Sequence, residues 1–365
     1  MMESRRAEEK RAGAQGPSHD RVCRDRVCRG PGTAGGRPGA RARGGCASAR
    51  MRIFRAMKVG IVGAGAVGAA CALSLVARGA AREIVIVNRT RARARAVAMD
   101  LRYGVPIGRR LDVRDGDYAD LGGAAVVMIT AGVNERTGGA TDRSDAAGRL
   151  RLLQANAAAY REIVPRTAAA APEALLLVVT DPPDPLADLA RRLAGHERVL
   201  GTGTWLDSLR FRVHLAQALD VDPASVEAQV LGEHGTSSVF VWSGARVAGV
   251  PALELLAPQG GSGEDPRQAI ERDVRYANIA IIEGNAASQY GIGLVSARIA
   301  ELVLRDERAV VPVGVYSPTH GVTLSLPAVV GRGGALRVLV PRLSAEEEQA
   351  LRRSAERLRR ARVEA

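Results

Sequence analysis

Three stretches of the 365-residue chain carry residue types and spacings that could do chemistry. The first is Gly63-Ala64-Gly65-Ala66-Val67-Gly68, which follows the short apolar run Lys58–Val62. In such a turn the first glycine permits the tight bend and the second lets the backbone approach a pyrophosphate. The third lets the next helix pack close to the strand. The phosphates then face the free N–H groups at the positive end of the helix dipole. The second stretch holds Asp207 and Arg210, three residues apart, so that on a helix both project from one face. The planar guanidinium of Arg210 suits two-pronged capture of a carboxylate. The third is His234 in Gly232-Glu233-His234-Gly235, an imidazole that titrates near neutral pH and can both take and return a proton. Singly, such a histidine also serves as a turn residue, and such an Asp/Arg pair as a solvated salt bridge.

The elements that must position these groups read as strand–helix alternation. After the glycine turn comes an alanine-rich helical stretch, Ala69 to Arg78, then a second apolar run, Ile84–Val87, ending at Asn88. The step from Gly68 to Asn88 is the distance at which the dinucleotide fingerprint places its ribose-binding residue, about 20 positions. This context predicts a dinucleotide cofactor held by Gly63, Gly65, Ala66, Val67, Gly68 and the end of the second strand. Arg91–Leu101 reads as a helix, Ala124–Thr130 as a buried strand, and Val133–Gly148 as a mobile polar loop. Arg149–Ala170 is helical, and Leu175–Thr180 is a strand that stops where Asp181-Pro182-Pro183-Asp184 forbids continuation. A helix over Leu186–Leu193 and a short strand over Val199–Gly201 follow. The alternation argues for a parallel sheet with helices on both faces. The second half mixes strands (Val226–Leu231, Val239–Trp242, Ala309–Val315) with long helices (Gln268–Glu283, Ser296–Arg305, Ser344–Arg362).

The totals, 46% hydrophobic and 25% charged, are those of a soluble globular chain with room for two domains. No apolar stretch approaches the roughly 20 residues of a membrane span, so no membrane partner is expected. The net charge of +13 is uneven. Residues 1–56 hold 14 Lys and Arg against 5 Asp and Glu, whereas the remainder holds 38 against 34. The basic excess therefore belongs to the tail, and no nucleic-acid partner is expected for the rest. The tail, rich in Arg, Gly, Ala and Pro, reads as disordered. Met57 precedes the first strand as a start codon would, so residues 1–56 read as an upstream extension of the reading frame. Cys23, Cys28 and Cys46 lie in that tail without a histidine pattern, which predicts no metal site. Cys71 reads as a small core residue, and nothing in the cysteine pattern calls for disulfides, which points to a reducing cytoplasm.

From Lys58 to the C-terminus the sequence resembles the lactate/malate dehydrogenase family. Six blocks in order carry the resemblance: the glycine turn, Met99-Asp100-Leu101, Thr130-Ala131-Gly132, Gly203–Arg212, Gly232–Gly235 and Val241-Trp242-Ser243. It implies an α/β protein, with an N-terminal Rossmann doubly wound parallel sheet over 57–201. A C-terminal mixed α+β substrate domain would span 202–365. It further implies His234 as proton donor and acceptor, Asp207 as the acid that orients it, and Arg210 as the substrate-carboxylate ligand. Arg149, placed by the pattern Arg149–Asn156, resembles the loop arginine that polarises the carbonyl. Thr130, Ala131, Gly132, Thr180 and Asp181 would line the cofactor, with Asp181, Glu135 and Ser288 near the substrate. The expected activity is hydride transfer between NAD(P) and C2 of a small 2-oxo/2-hydroxy acid, of L-lactate dehydrogenase type, in a homodimer or homotetramer.

Three departures loosen the substrate and cofactor. Asn88 stands where NAD-using relatives carry an aspartate, and Asn88-Arg89-Thr90-Arg91-Ala92-Arg93 resembles the string by which shikimate dehydrogenases hold NADP. The expected cofactor therefore leans to NADP(H), with Arg89, Thr90 and Arg93 at the 2′-phosphate. Glu135 stands where lactate enzymes carry glutamine and malate enzymes arginine, which disfavours a second substrate carboxylate. Asp181 replaces an asparagine and cannot donate unless protonated. Thr236 replaces the acidic residue usual after the histidine loop. Malate dehydrogenase, reduction of an imine or atypical 2-oxo acid, and a non-catalytic dinucleotide sensor remain the alternatives.

Overall fold

The structure, a computed structural model, describes residues 57–133, 142, 151–256 and 265–365. The expected sites Glu135 and Arg149 lie outside the described residues, as does the extension 1–56. Six parallel strands form the first half: β1 (Lys58–Val62), β2 (Glu83–Val87), β3 (Asp112–Gly116), β4 (Val126–Ile129), β5 (Leu175–Val178) and β6 (Val199–Gly201). They lie in the order β3-β2-β1-β4-β5-β6. Helices α1 (Ala66–Arg78), α2 (Arg91–Gly104), α3 (Leu153–Ala170) and α4 (Pro183–Ala194) make the connections. Strands covered on both faces must be apolar throughout. Accordingly VVMI of β4 and LLLV of β5 are buried at every position. The polar DVRDG of β3 gives no such signal in the sequence and is an edge strand.

The second half begins with α5 (Trp205–Leu219) and the short strands β7 (Val226–Glu227), β8 (Val230–Leu231), β9 (Val239–Phe240), β10 (Arg246–Val247) and β11 (Val250–Pro251). Next come α6 (Ala252–Leu255), α7 (Pro266–Asn285) and α8 (Tyr290–Arg305), then β12 (Ala309–Ser317), β13 (Val322–Gly331) and β14 (Gly334–Val338), and finally α9 (Ala345–Arg360). The last three strands continue the parallel sheet in antiparallel fashion, making nine strands among the described residues. The joint is a single residue pair, Gly314 of β12 opposite Gly201 of β6. A Cβ on Gly314 would stand 3.1 Å from the Gly201 Cα, so the approach depends on glycine.

Several expected boundaries move, each for a physical reason. Val226–Leu231 is two strands rather than one, because the chain changes partner from β10 to β9 within it. The strand expected to reach Trp242 stops at Phe240. Trp242 instead opens a helical turn, packs edge-on against Phe211 at 4.6 Å, and donates from Nε1 to Glu271 (2.8 Å). The prolines after β5 do more than end a strand: Pro183 occupies the first turn of α4, where its fixed φ and missing N–H cost nothing. Helix α8 starts at Tyr290, not Ser296, since Gly291 and Gly293 weaken the helical signal. Gly293 is needed there because a Cβ would lie 2.8 Å from the Ala70 backbone of α1. Cys71 is fully buried between these helices, and burial pushes its thiol up to about 12.

The α1–α8 contact is closed at its end by Glu301, almost fully buried and ion-paired with Arg78, Arg298 (2.9 Å) and Arg305 (2.8 Å). Burial alone would raise its pKa, but the bonds from Arg78 and Arg298 outweigh that and hold it below the usual carboxylate range. Removing one partner of a buried ion pair leaves the other uncompensated. Because the arginines keep part of their surface in water, Glu301→Ala is expected to cost about 2 kcal/mol, less than a fully buried pair. Urea unfolding followed by circular dichroism measures it.

Candidate active site

The first-half candidates meet at the carboxyl edge of the parallel sheet, where open α/β sheets hold their ligands. Thr130 Oγ1 donates to the Gly63 carbonyl (2.9 Å), and Thr180 Oγ1 to that of Ala131 (2.9 Å). The Ala64 N–H donates to Asn88 Oδ1 (2.9 Å), whose Nδ2 donates in turn to the Thr90 carbonyl (3.1 Å). Asn156 of α3, fully buried, accepts from the Val133 N–H (2.7 Å) and donates to the Asp181 carbonyl (2.7 Å). These bonds fasten the ends of β1, β2, β4 and β5 to one another.

The three glycines of the turn are not equivalent. Gly63 has φ +116°, and a Cβ there would lie 2.6 Å from the Ala131 nitrogen. At Gly68 a Cβ would come within 2.0 Å of the Gly63 carbonyl oxygen. At Gly65, apart from its chain neighbours, no atom of the described residues lies within 4 Å of the Cβ position. The outer two are demanded by the protein's own packing, whereas the middle one leaves open a cradle at the start of α1. That helix has no side-chain cap and no acidic residue in its first turn, so its N–H groups are presented to an anion. The donor set fits a dinucleotide pyrophosphate.

The second-half candidates form one hydrogen-bonded series. Asp207 and Arg210 share a face of α5, and Arg210 Nη1 donates to Asp207 Oδ1 (3.0 Å). Asp207 Oδ2 is bonded to His234 Nδ1. The acid is buried and the imidazole nearly so. With the carboxylate ionised, the hydrogen between them sits on Nδ1, so Nε2 is the nitrogen not engaged with Asp207. Two hydroxyls hold α5 against the strand leading to His234. Thr204 Oγ1 donates to the Val230 carbonyl, and the Val230 N–H donates to Ser208 Oγ (2.9 Å). The histidine turn is then fixed residue by residue. Gly232 pairs with Ser325 of β13 (2.9 Å), the Glu233 N–H donates to Ser354 Oγ of α9 (2.8 Å), and the His234 N–H donates to Asp184 Oδ2 of α4 (2.7 Å). Burial pushes the Asp184 carboxyl up to about 7, with the His234 N–H pulling the other way.

Sequence reasoning had no role for Asp184, Asn156, Ser325 or Ser354. A signal for Asp184 is present, since an acidic residue directly after proline marks a helix start. The two serines come from distant segments, and no local pattern marks them. Ser288 lies half-buried in the turn between α7 and α8. No hydrogen bond among the described residues joins it to the His234 series. Of the basic string after β2, Arg91 is turned to Asp115 and Asp117 (2.9 Å each), while Arg89, Thr90 and Arg93 are exposed.

Residues 57–201 match the model of the lactate/malate dehydrogenase NAD binding domain, and residues 204–364 that of the family's alpha/beta C-terminal domain. The chain belongs to the lactate/malate dehydrogenase family. It is 46% identical over 304 residues to the L-lactate dehydrogenase of Deinococcus radiodurans, covering 83% of this chain and 97% of that one. Its identity to the Thermus aquaticus L-lactate dehydrogenase is 47% over 311 residues, with the same coverage. Among solved structures, the minor L-lactate dehydrogenase of Enterococcus mundtii superposes with a TM-score of 0.76 at 32% identity, over 84% of this chain and 98% of that one. A lactate dehydrogenase from a Medee basin deep-sea metagenome library superposes with a TM-score of 0.75 at 32% identity, over 84% and 97%. The chain is thus an oxidoreductase of the lactate dehydrogenase type with a nicotinamide dinucleotide cofactor.

The inequality of the glycines makes a sharp prediction. Gly65→Ala adds a methyl group that clashes with none of the described residues, so the thermal midpoint is expected to stay within about 2 °C of the parent, as for an exposed substitution. The same methyl occupies the cradle, so cofactor affinity falls by tenfold or more. Differential scanning fluorimetry and nucleotide titration by fluorescence report the two effects separately.

Proposed function

We propose that the protein is an L-lactate-type dehydrogenase that moves a hydride between a nicotinamide dinucleotide and C2 of a small 2-oxo or 2-hydroxy acid. The series Arg210–Asp207–His234 carries this reading, and the similarity to enzymes named L-lactate dehydrogenase supports lactate and pyruvate as the substrate pair. The bound dinucleotide supplies the hydride in reduction and accepts it in oxidation. The protein's own groups do the rest. In reduction His234 donates the Nε2 proton to the keto oxygen as negative charge develops there. In oxidation the neutral Nε2 takes the hydroxyl proton. Asp207 holds the ring by Nδ1 in both directions. Arg210, steadied by its bond to Asp207, takes the substrate carboxylate. Arg149 is assigned to the carbonyl on its sequence pattern. Excluding water around these groups strengthens each of these electrostatic contacts.

We infer in addition that the turn after β2 admits a 2′-phosphate. Asn88 bears no charge to repel it, and both ends of its amide are already spent on Ala64 and Thr90. Arg91 is committed to Asp115 and Asp117, so Arg89 and Thr90 are the groups assigned to the phosphate, with Arg93 one helical turn on. The leaning to NADP(H) rests on this turn alone.

Two outcomes test these readings. His234→Asn is expected to lower kcat for pyruvate reduction by about a thousandfold, within the usual range for a lost general acid, while nucleotide binding survives. Nucleotide binding without turnover of any 2-oxo acid by the parent would favour the non-catalytic sensor reading, and unchanged turnover in His234→Asn would overturn the role of His234. Catalytic efficiency with NADPH is expected to exceed that with NADH across a panel of 2-oxo acids, followed at the nicotinamide absorbance band. A tenfold or greater preference for NADH would refute the cofactor reading.

A further inference from the structure

We propose that Asp184 is a positioning residue for the proton-exchanging histidine, holding the His234 backbone N–H and setting a second carboxylate beside that residue. This rests on the reading of His234 given above. Asp184 stands in the first turn of α4 and is 1% exposed. Its Oδ2 accepts from the His234 N–H at 2.7 Å, and its Oδ1 accepts from Ser325 Oγ at 3.4 Å. The space it fills is kept by glycine, because a Cβ on Gly314 would approach Asp184 Oδ1 to 3.2 Å.

The choice of group is the informative point. The three successive N–H groups of Gly232, Glu233 and His234 go to a carbonyl, a hydroxyl and a carboxylate from three separate elements. A neutral oxygen satisfies a backbone N–H without the penalty of burying an ionisable group. The carboxylate is found only at the histidine. Charged neighbours that face it are His234 and Glu233 on the same turn, with Asp207 and Arg210 beyond His234 on α5. Ser325 of β13 and Gly314 of β12 bring no charge. When ionised, a carboxyl in this place stabilises the positive charge that the ring carries once it has taken a proton, which an amide does not.

Asp184→Asn in the full chain tests this, since it keeps an oxygen for the His234 N–H and removes the charge. The falling limb of the pH profile of kcat/KM for pyruvate reduction is expected to move to lower pH by about half a unit or more, the scale of one nearby charge. The thermal midpoint and nucleotide affinity should hold. Asp184→Ala, which also removes the acceptor, should in addition lower kcat at least tenfold. The His234 ring signal in proton NMR, identified by its loss in His234→Asn, should titrate at lower pH in Asp184→Asn and needs no turnover. Superimposable pH profiles and ring titrations in Asp184→Asn and the parent overturn the proposal. If the ring titration moves while the parent reduces no 2-oxo acid, the functional reading fails and the role of Asp184 stands. If Asp184→Ala does not fold, the asparagine variant alone decides.

Discussion

The bond between Asp207 and His234 joins helix α5 to the turn after β8, two segments of the second half 27 positions apart. An imidazole exchanges a proton usefully when its other nitrogen is held, because the hold sets both tautomer and direction. Here the hold comes from α5, which is itself tied to β8 by Thr204 and Ser208. The histidine turn is fixed from outside by β13, α9 and α4. The placement of one imidazole is thus distributed over five elements.

Glycine makes the arrangement possible. Gly314 and Gly201 let the second half extend the sheet of the first, and the same gap accommodates the Asp184 carboxylate. Gly203, with φ +57°, passes where a Cβ would lie 2.5 Å from Ser325 Oγ and 2.6 Å from the Gly314 nitrogen. Close backbone approach trades side-chain volume for placement, which suits a region whose task is to hold polar groups in fixed relation.

What was legible in the sequence follows from how local each signal is. The first strand–turn–helix–strand unit announces itself, because strand length, glycine spacing and the step to Asn88 are properties of adjacent residues. The Asp207/Arg210 pair is legible for the same reason. Asp184 was hidden by the reading of its prolines as a mere stop, although proline followed by an acid is also how a helix begins. Ser325 and Ser354 could not be seen, since each lies roughly a hundred residues beyond the turn it holds. The start of helix α8 is not legible because Gly293 answers a packing need set by Ala70, and Gly291 one set by Leu206, not local propensity. Strand β3 was missed because a polar edge strand lacks an apolar run.

Ser354 stands near the end of the chain, yet it secures the residue just before the imidazole. During synthesis the nucleotide-binding lobe has all its parallel strands once residue 201 has emerged, and domains of a growing chain fold from the N-terminal side first. The histidine turn must wait more than a hundred further residues for its last fastening. Glu233 and Ser354 are 121 positions apart, so the histidine turn acquires this fastening long after the parallel strands have been made.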